Sequence, residues 1–457
     1  MFEAKIYQKR RADLVELLND GVVLLLGNID SPMNYKDNIY PFRQDSNFLY
    51  LIGIDQPDLV AVLDVKSGKT TLFGDDLTID SIIWMGQQPS MAALAAKSGI
   101  ESVQPLSELA DVLKNNKKVH YLPPYRGDNV IRLSRLLGMS IDDVQSGASL
   151  PLIKGVISLA SVKSDEEVVE MEKAVNISVA MHRAVIQGAK PGMKEAVLAG
   201  IGEGIAIGAG TRLSYPIILS KDGQTLHNHY HGNMLKQGDL VLADMGAESG
   251  MHYAGDLTRT FPVSKKFTQQ QKEIYELVLA AEVQSIAKLK PGVAYKDIHL
   301  GAAKILADGL RDLGIMKGDV DEAINQGAHA LFFPHGLGHM IGLDVHDMED
   351  LGENLVGYDE EVKRSDQFGL AYLRLGRKLQ KGFVLTVEPG IYFIPELIDL
   401  WQSEGKFKDF IDYEKLAAYR NFGGIRIEDN VLITEQGHRI LGTPLEKSVA
   451  EIEGLRS

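Results

Sequence analysis

Four carboxylates stand at the ends of apolar runs in the second half of the 457-residue chain, and they are the residue types best placed to do chemistry. DLVLADMG delivers Asp244 into a glycine-containing turn, and MHYAGDLTRTFP returns Asp256 after an interval suited to a hairpin. VLTVEPG ends on Glu388 before Pro389 and Gly390. In GIRIEDN a period-two alternation puts Arg426 and Glu428 on one face and Ile425 and Ile427 on the other. Any one of these acids alone reads as a solvated turn residue. Clustered and buried, the four would repel and protonate unless cations neutralised them, and a pair of divalent ions supplies that charge.

The stretch FFPHGLGHMIGLDVHD adds His335, His339 and His346. His335 and His339 have the spacing of paired ligands on a zinc-protease helix. HGLGH lacks the glutamate of that motif, however, and Gly336 and Gly338 disfavour a helix. In an extended segment, at ~3.3 Å per residue, the two would lie about 13 Å apart, so at most one could be a ligand of a given ion. Carboxylates with one imidazole make a mostly hard-oxygen set, which suits manganese, cobalt, iron or zinc and fits two ions better than one.

The order and setting of these motifs resemble the pita-bread metallopeptidases, the family of methionine aminopeptidase, aminopeptidase P and prolidase. DMGAESGMHYAGDLTRTFP, HGLGHMIGLDVHD, TVEPGIYF and GGIRIED resemble the metal-binding blocks of its proline-directed branch. YPFRQDSNFLYLIGI and WMGQQP resemble the creatinase-type N-terminal domain that accompanies it. The interval between the two aspartates is one residue longer than is usual there. The resemblance implies two divalent ions, manganese foremost, with Asp244, Asp256, His339, Glu388 and Glu428 as ligands. It implies Glu388 and His346 as catalytic groups, His346 facing the scissile carbonyl, and His335 as a further catalytic histidine lining the pocket. A third family histidine precedes the first aspartate. LHNHYHG offers His227 by ungapped comparison and His229 by its neighbouring tyrosine, and the site takes His227. Arg426 would orient Glu428 electrostatically, and Tyr215 would line the pocket.

The implied chemistry is two-metal hydrolysis of Xaa-Pro bonds: a water acidified between the cations attacks the carbonyl before proline, and Glu388 passes its proton to the leaving nitrogen. That nitrogen is a tertiary amide without an N–H. An Xaa-Pro dipeptidase must also recognise a free carboxylate beside the cleaved bond, for which a planar guanidinium is suited. AYLRLGRKLQKGFVLTVEPG resembles the prolidase version of this region, with Arg374 at the carboxylate-binding position, and the insertion between the two glutamate motifs is also prolidase-like. The alternatives are an Xaa-Pro aminopeptidase acting on longer peptides and a catalytically inactive pita-bread binding protein. Creatinase, which lacks the metal cluster, is disfavoured by the five ligands.

The elements that must position these residues fall into two expected domains. Residues 1–158 alternate short apolar strands (VVLLLG, LVAVLDV, KTTLFG, KVHYLP) with helical stretches such as PSMAALAAKSG, an α/β pattern that the resemblance makes creatinase-like. Residues 159–457 form an α+β pita-bread catalytic domain. It opens with Ser164 and Glu167 as a capping box before a long helix closed by Gly188 and Pro191. DLVLAD, GFVLTVEPG and GIRIEDNVLIT are its strands, and TQQQKEIYELVLAAEVQSIAKL is its clearest helix.

An apolar fraction of 45% suffices for two cores, and a net charge of -14 argues against a nucleic-acid partner. No cysteine is present, which removes disulfides and thiolate ligands. VVLLL is too short for a membrane span, so the expected partners are proline-containing di- or oligopeptides rather than membrane, and the expected compartment is the cytoplasm. A homodimer is expected from the family, with Trp84 at the position that meets the partner's active site.

Overall fold

The apolar runs of the first half become β1 (Val22–Leu26), β2 (Val60–Asp64), β3 (Thr70–Phe73) and β5 (Val119–His120), with the short β4 (Ser102–Gln104) between the last two. They lie in one sheet of order β4-β3-β2-β1-β5. β2 runs antiparallel to both β1 and β3, whereas β4 and β5 join in parallel at the two edges. Val22, Leu24, Val60, Val62 and Phe73 pack against Leu109, Leu113, Val130 and Leu133 from the flanking helices. β1 and β2 are buried along almost their whole length, which is why they read as continuous apolar runs rather than alternating ones. By contrast, helix Ile79–Met85 buries none of its residues, and its Trp84 is 86% exposed.

The computed structural model describes residues 1–457 and divides into two compact units: Met1–Ala160 with Glu349–Leu355, and Ser161–Met348 with Val356–Ser457. The second unit opens with the expected capping box. Ser164 Oγ accepts from the Glu167 amide, and the Glu167 carboxylate accepts from the Ser164 amide, starting helix Asp165–Gly188. Loss of such a cap costs about 1 kcal/mol. Helix Gln269–Ala287 starts the same way on Thr268 and Gln271.

Three small sheets carry the carboxylates. β6 (Ile218–Ser220), β7 (Leu240–Met245) and β8 (Leu257–Pro262) form an antiparallel sheet in which β7 and β8 are the expected hairpin. Its long tip closes on itself: Ser249 N donates to Tyr253 O (2.8 Å) and Gly255 N to Ala247 O (2.9 Å), with His252 at φ 67° making the turn. β9 (Val384–Val387) pairs with β12 (Asp429–Ile433), which also pairs with β13 (His438–Ile440), and β10 (Gly390–Tyr392) pairs with β11 (Gly424–Arg426).

GIRIEDNVLIT is therefore two strands, not one. Gly390 faces Arg426 and Val387 faces Asp429, so one register runs through both pairs and sets Glu388 opposite Glu428 at the break. Pro389 has no N–H to give to the ladder, and the ribbon kinks there. HGLGH is neither helix nor extended strand but an irregular loop. No helix is long and apolar enough to cross a membrane.

Candidate functional site

The kinked ribbon and the hairpin converge. Asp244 lies near the end of β7, Asp256 just before β8, and Glu428 bridges to Thr258 of β8. These three acids, with Glu388 and His339, line a cavity of about 210 Å³. Tyr215, His227, His335, His346, Arg374 and Arg426 line the same cavity, so every residue singled out in the sequence as a site candidate is brought to one place.

The irregular loop wraps Glu388 instead of extending past it. His335 Nδ1 and His339 Nε2 each lie 3.8 Å from a Glu388 oxygen, so the 13 Å separation of an extended segment does not apply. The two glycines make this approach possible. A Cβ on Gly338 would sit 2.1 Å from Thr386 O, and one on Gly336 would sit 2.8 Å from Leu373 Cα.

Hydrogen bonds fix both rings. His339 Nδ1 lies 3.0 Å from Met340 O, and a carbonyl can only accept, so Nδ1 carries the proton and Nε2 is left facing Asp256 Oδ2 at 3.4 Å. His335 Nδ1 likewise donates to Gly336 O (2.7 Å). Burial and the charge of Arg426 push His335 down to about 3, so its ring is neutral and Nε2 accepts from Tyr392 OH (2.8 Å). Tyr392 OH in turn accepts from Arg426 Nη1 (2.8 Å).

Burial lifts Glu388 to about 7, against the opposing charges of His339 and Arg426. Burial, with Asp256, Glu388 and Asp244 nearby, carries Glu428 well above the usual carboxylate range, and it raises Asp244 against the pull of Arg426. Burial would raise Asp256 too, but its hydrogen bond to His339 and the charge of that ring hold it below its ordinary value. His339 is raised in return: burial alone would lower it, and Asp256 and Glu388 overcome that. Tyr215 OH lies 2.6 Å from Asp244 Oδ1 and 2.5 Å from Asp256 Oδ1, yet has one proton to serve both.

The protein alone thus crowds four acids until some must hold protons. Ligand atoms of Asp256, His339 and Glu428 all lie within 4.8 Å of one another. Divalent cations fit this donor set, because they replace the protons and use the His339 Nε2 lone pair.

Arg426 bears on two of the acids. Its Nη2 donates to Asp244 Oδ2 (2.5 Å), while Glu428 is held by Thr258 Oγ1 (2.7 Å), to which Arg426 Nε also donates (3.2 Å). Arg426 reaches Glu428 through charge and through Thr258. Both His227 and His229 line the cavity. His227 is lowered by burial and by Arg426, whereas the His229 ring sits 3.4 Å from Ile217 O.

Sequence reasoning missed four supporting residues. Thr258 shares the face of Asp256 in DLTRT, two positions on, and that alternation could have exposed it. Tyr392 lies inside TVEPGIYF. His182 and Arg259 carried no local signal. His182 Nε2 faces Met245 O (3.1 Å) and Leu257 O (2.9 Å), tying both strands beside the aspartates, and Arg259 Nη1 donates to Glu428 O (2.8 Å).

The chain resembles known proteins along most of its length. The model of metallopeptidase family M24 matches residues 169–435, and that of the aminopeptidase P N-terminal domain matches residues 7–121. An Xaa-Pro dipeptidase of Homo sapiens is 36% identical over 445 residues, 94% of this chain and 88% of that protein. A probable Xaa-Pro aminopeptidase of Fusarium vanettenii is 36% identical over 468 residues, 100% of this chain and 97% of that one. The structure of zinc-substituted Escherichia coli aminopeptidase P in complex with product superposes with a TM-score of 0.82 at 31% identity, covering 99% of this chain and 98% of that one. The fold is therefore that of an α/β creatinase-like N-terminal domain followed by an α+β pita-bread catalytic domain.

Proposed function

The chain belongs to metallopeptidase family M24, and from that premise we propose that it is an Xaa-Pro dipeptidase that uses two divalent cations, manganese by preference, held by Asp244, Asp256, His339, Glu388 and Glu428. The observation that carries this reading is the crowding of three buried carboxylates and the half-buried Glu388 around one imidazole lone pair, in a cavity whose wall also holds Arg374. The two cations would supply Lewis acidity toward a water and toward the peptide carbonyl. Manganese suits the oxygen-rich donors with their single nitrogen.

The remaining steps belong to the chain. Glu388 takes the proton of the attacking water and returns it to the proline nitrogen, which needs one to leave. His346, whose ring lies 4.3 Å from that of His339, faces the carbonyl and steadies its developing negative charge. His335, neutral and pinned by Tyr392, and His227 line the binding cavity. Arg374 grips the free carboxylate of the dipeptide. Arg426, Thr258 and Tyr215 hold the acids in register. The protein acts in the cytoplasm on proline-containing peptides, as a homodimer in which the exposed Trp84 faces the partner.

An aminopeptidase acting on longer peptides is the second reading, favoured by the full-length likeness to Escherichia coli aminopeptidase P. Hydrolysis of Ala-Pro, measured before chelation, after it and after manganese is restored, tests the enzyme reading. Activity should vanish and return. No cleavage of either Ala-Pro or Ala-Pro-Ala with any divalent metal would make the protein a binding module instead.

A further inference from the structure

We propose that Lys163 is a positioning residue for His346, and that its buried ion pair with Asp347 is the pin around which the loop carrying that histidine is folded. The inference rests on the reading of His346 as the group that faces the substrate carbonyl. Lys163 Nζ lies 2.7 Å from Asp347 Oδ2, with the two side chains only 2% and 6% exposed. A pair so far from water is held in one geometry, because either charge left alone would be strongly unfavourable.

The loop is moulded on that pair. Asp347, the residue after His346, donates its amide to Met340 O (3.0 Å), and its Oδ1 accepts from the Asp344 amide (3.4 Å). Gly342 lies against the pair so closely that a Cβ there would come 2.4 Å from Asp347 Oδ2 and 2.8 Å from Lys163 Cε. Gly342 O also accepts from Ala254 N (2.8 Å), which ties the loop to the hairpin of the two aspartates. The lysine is rigid at its own end. Its amide donates to Gly382 O (2.8 Å), and the next residue, Ser164, is the cap of helix Asp165–Gly188.

His339 is tethered separately. Its amide donates to Thr386 Oγ1 (3.1 Å) and its carbonyl accepts from Thr386 N (3.0 Å), which fastens it to β9 with no help from Lys163. One short loop thus carries two histidines: His339 is fastened to β9 through its own backbone and shares with Asp347 the carbonyl of Met340. Loss of the ion pair should free His346 while the proposed ligand His339 stays in place.

The test uses the full-length, manganese-loaded protein with the paired change Lys163→Met and Asp347→Asn, which removes both charges at nearly constant shape. Gly342→Ala serves as a second variant: it keeps both charges but drives a methyl into the pair. Each should lower kcat for Ala-Pro about 10- to 100-fold, with KM within about threefold and bound manganese per chain unchanged by elemental analysis. In a His346→Ala background the paired change should move kcat by less than about twofold, because the group it positions is already gone. Three results overturn the inference: wild-type kcat in both variants, an equal loss in the His346→Ala background, or manganese lost in step with activity. Wild-type activity of His346→Ala alone would instead remove the reading of His346, and this inference with it.

Discussion

Replacing Arg374 by alanine separates the two proline-directed readings by a magnitude the structure allows to be worked out. Arg374 lines the cavity together with Tyr372 and His227. Its backbone is held independently of its side chain: Tyr358 OH donates to Leu373 O (2.6 Å) and Gly376 N to Gly357 O (2.8 Å). Truncation should therefore remove the guanidinium without moving the loop. A two-pronged, charge-assisted grip on a carboxylate is worth about 2–3 kcal/mol. At about 1.4 kcal/mol per tenfold, kcat/KM for Ala-Pro should fall on the order of 30- to 150-fold. In Ala-Pro-Ala the free carboxylate lies one residue further along, about 3.6 Å away, beyond that grip, and the loss should stay under about threefold. Proline release from the dipeptide and Ala release from the tripeptide, followed by chromatography with matched enzyme and manganese, give both numbers. An equal loss on both substrates would refute the carboxylate role and leave Arg374 as a structural or electrostatic residue.

Other consequences follow from burial and charge. His299 and His329 are buried with no hydrogen-bond partner for any ring nitrogen, and burial pushes them down to about 3 and about 4. Each is neutral in the fold and protonates in the unfolded chain near 6.5. Stability is therefore complete above that pH and is lost as pH falls toward 4, by about 1.4 kcal/mol per unit for each ring. Urea unfolding at pH 7.0 and 5.0 should show this loss, and His299→Phe should make it shallower; an unchanged slope would mean the ring is not the source. A cation held by these carboxylates would stabilise the folded state, so saturating the metal-free protein with manganese at about 100 times its dissociation constant should add roughly 2.7 kcal/mol. The melting temperature should rise by several degrees, and no rise in a calorimetric scan would argue against a cation site among these carboxylates.

The parts of the site at or beside strand ends were legible in the sequence because an apolar run that delivers a single acid marks them. Asp244, Asp256, Glu388 and Glu428 were found that way, and the structure brings them together. The histidine loop was not legible. Its path is set by close backbone approach at Gly338 to a strand some fifty residues on, which no local period records. The kink between Arg426 and Asp429 was hidden for a related reason. GIRIE alternates up to the break without marking it, and the break lies opposite Pro389 on the facing strand. Long-range braces such as His182 on Met245 and Leu257, or Arg259 on Glu428, are invisible until the chain is folded.

The central claim is that this cavity cleaves dipeptides ending in proline. The most direct measurement is kcat/KM for Ala-Pro beside that for Ala-Pro-Ala, with the wild-type protein under saturating manganese. The dipeptide should be preferred by at least about tenfold, the share of binding that a gripped carboxylate supplies. A tripeptide cleaved better than the dipeptide would contradict the assignment and make the protein an aminopeptidase.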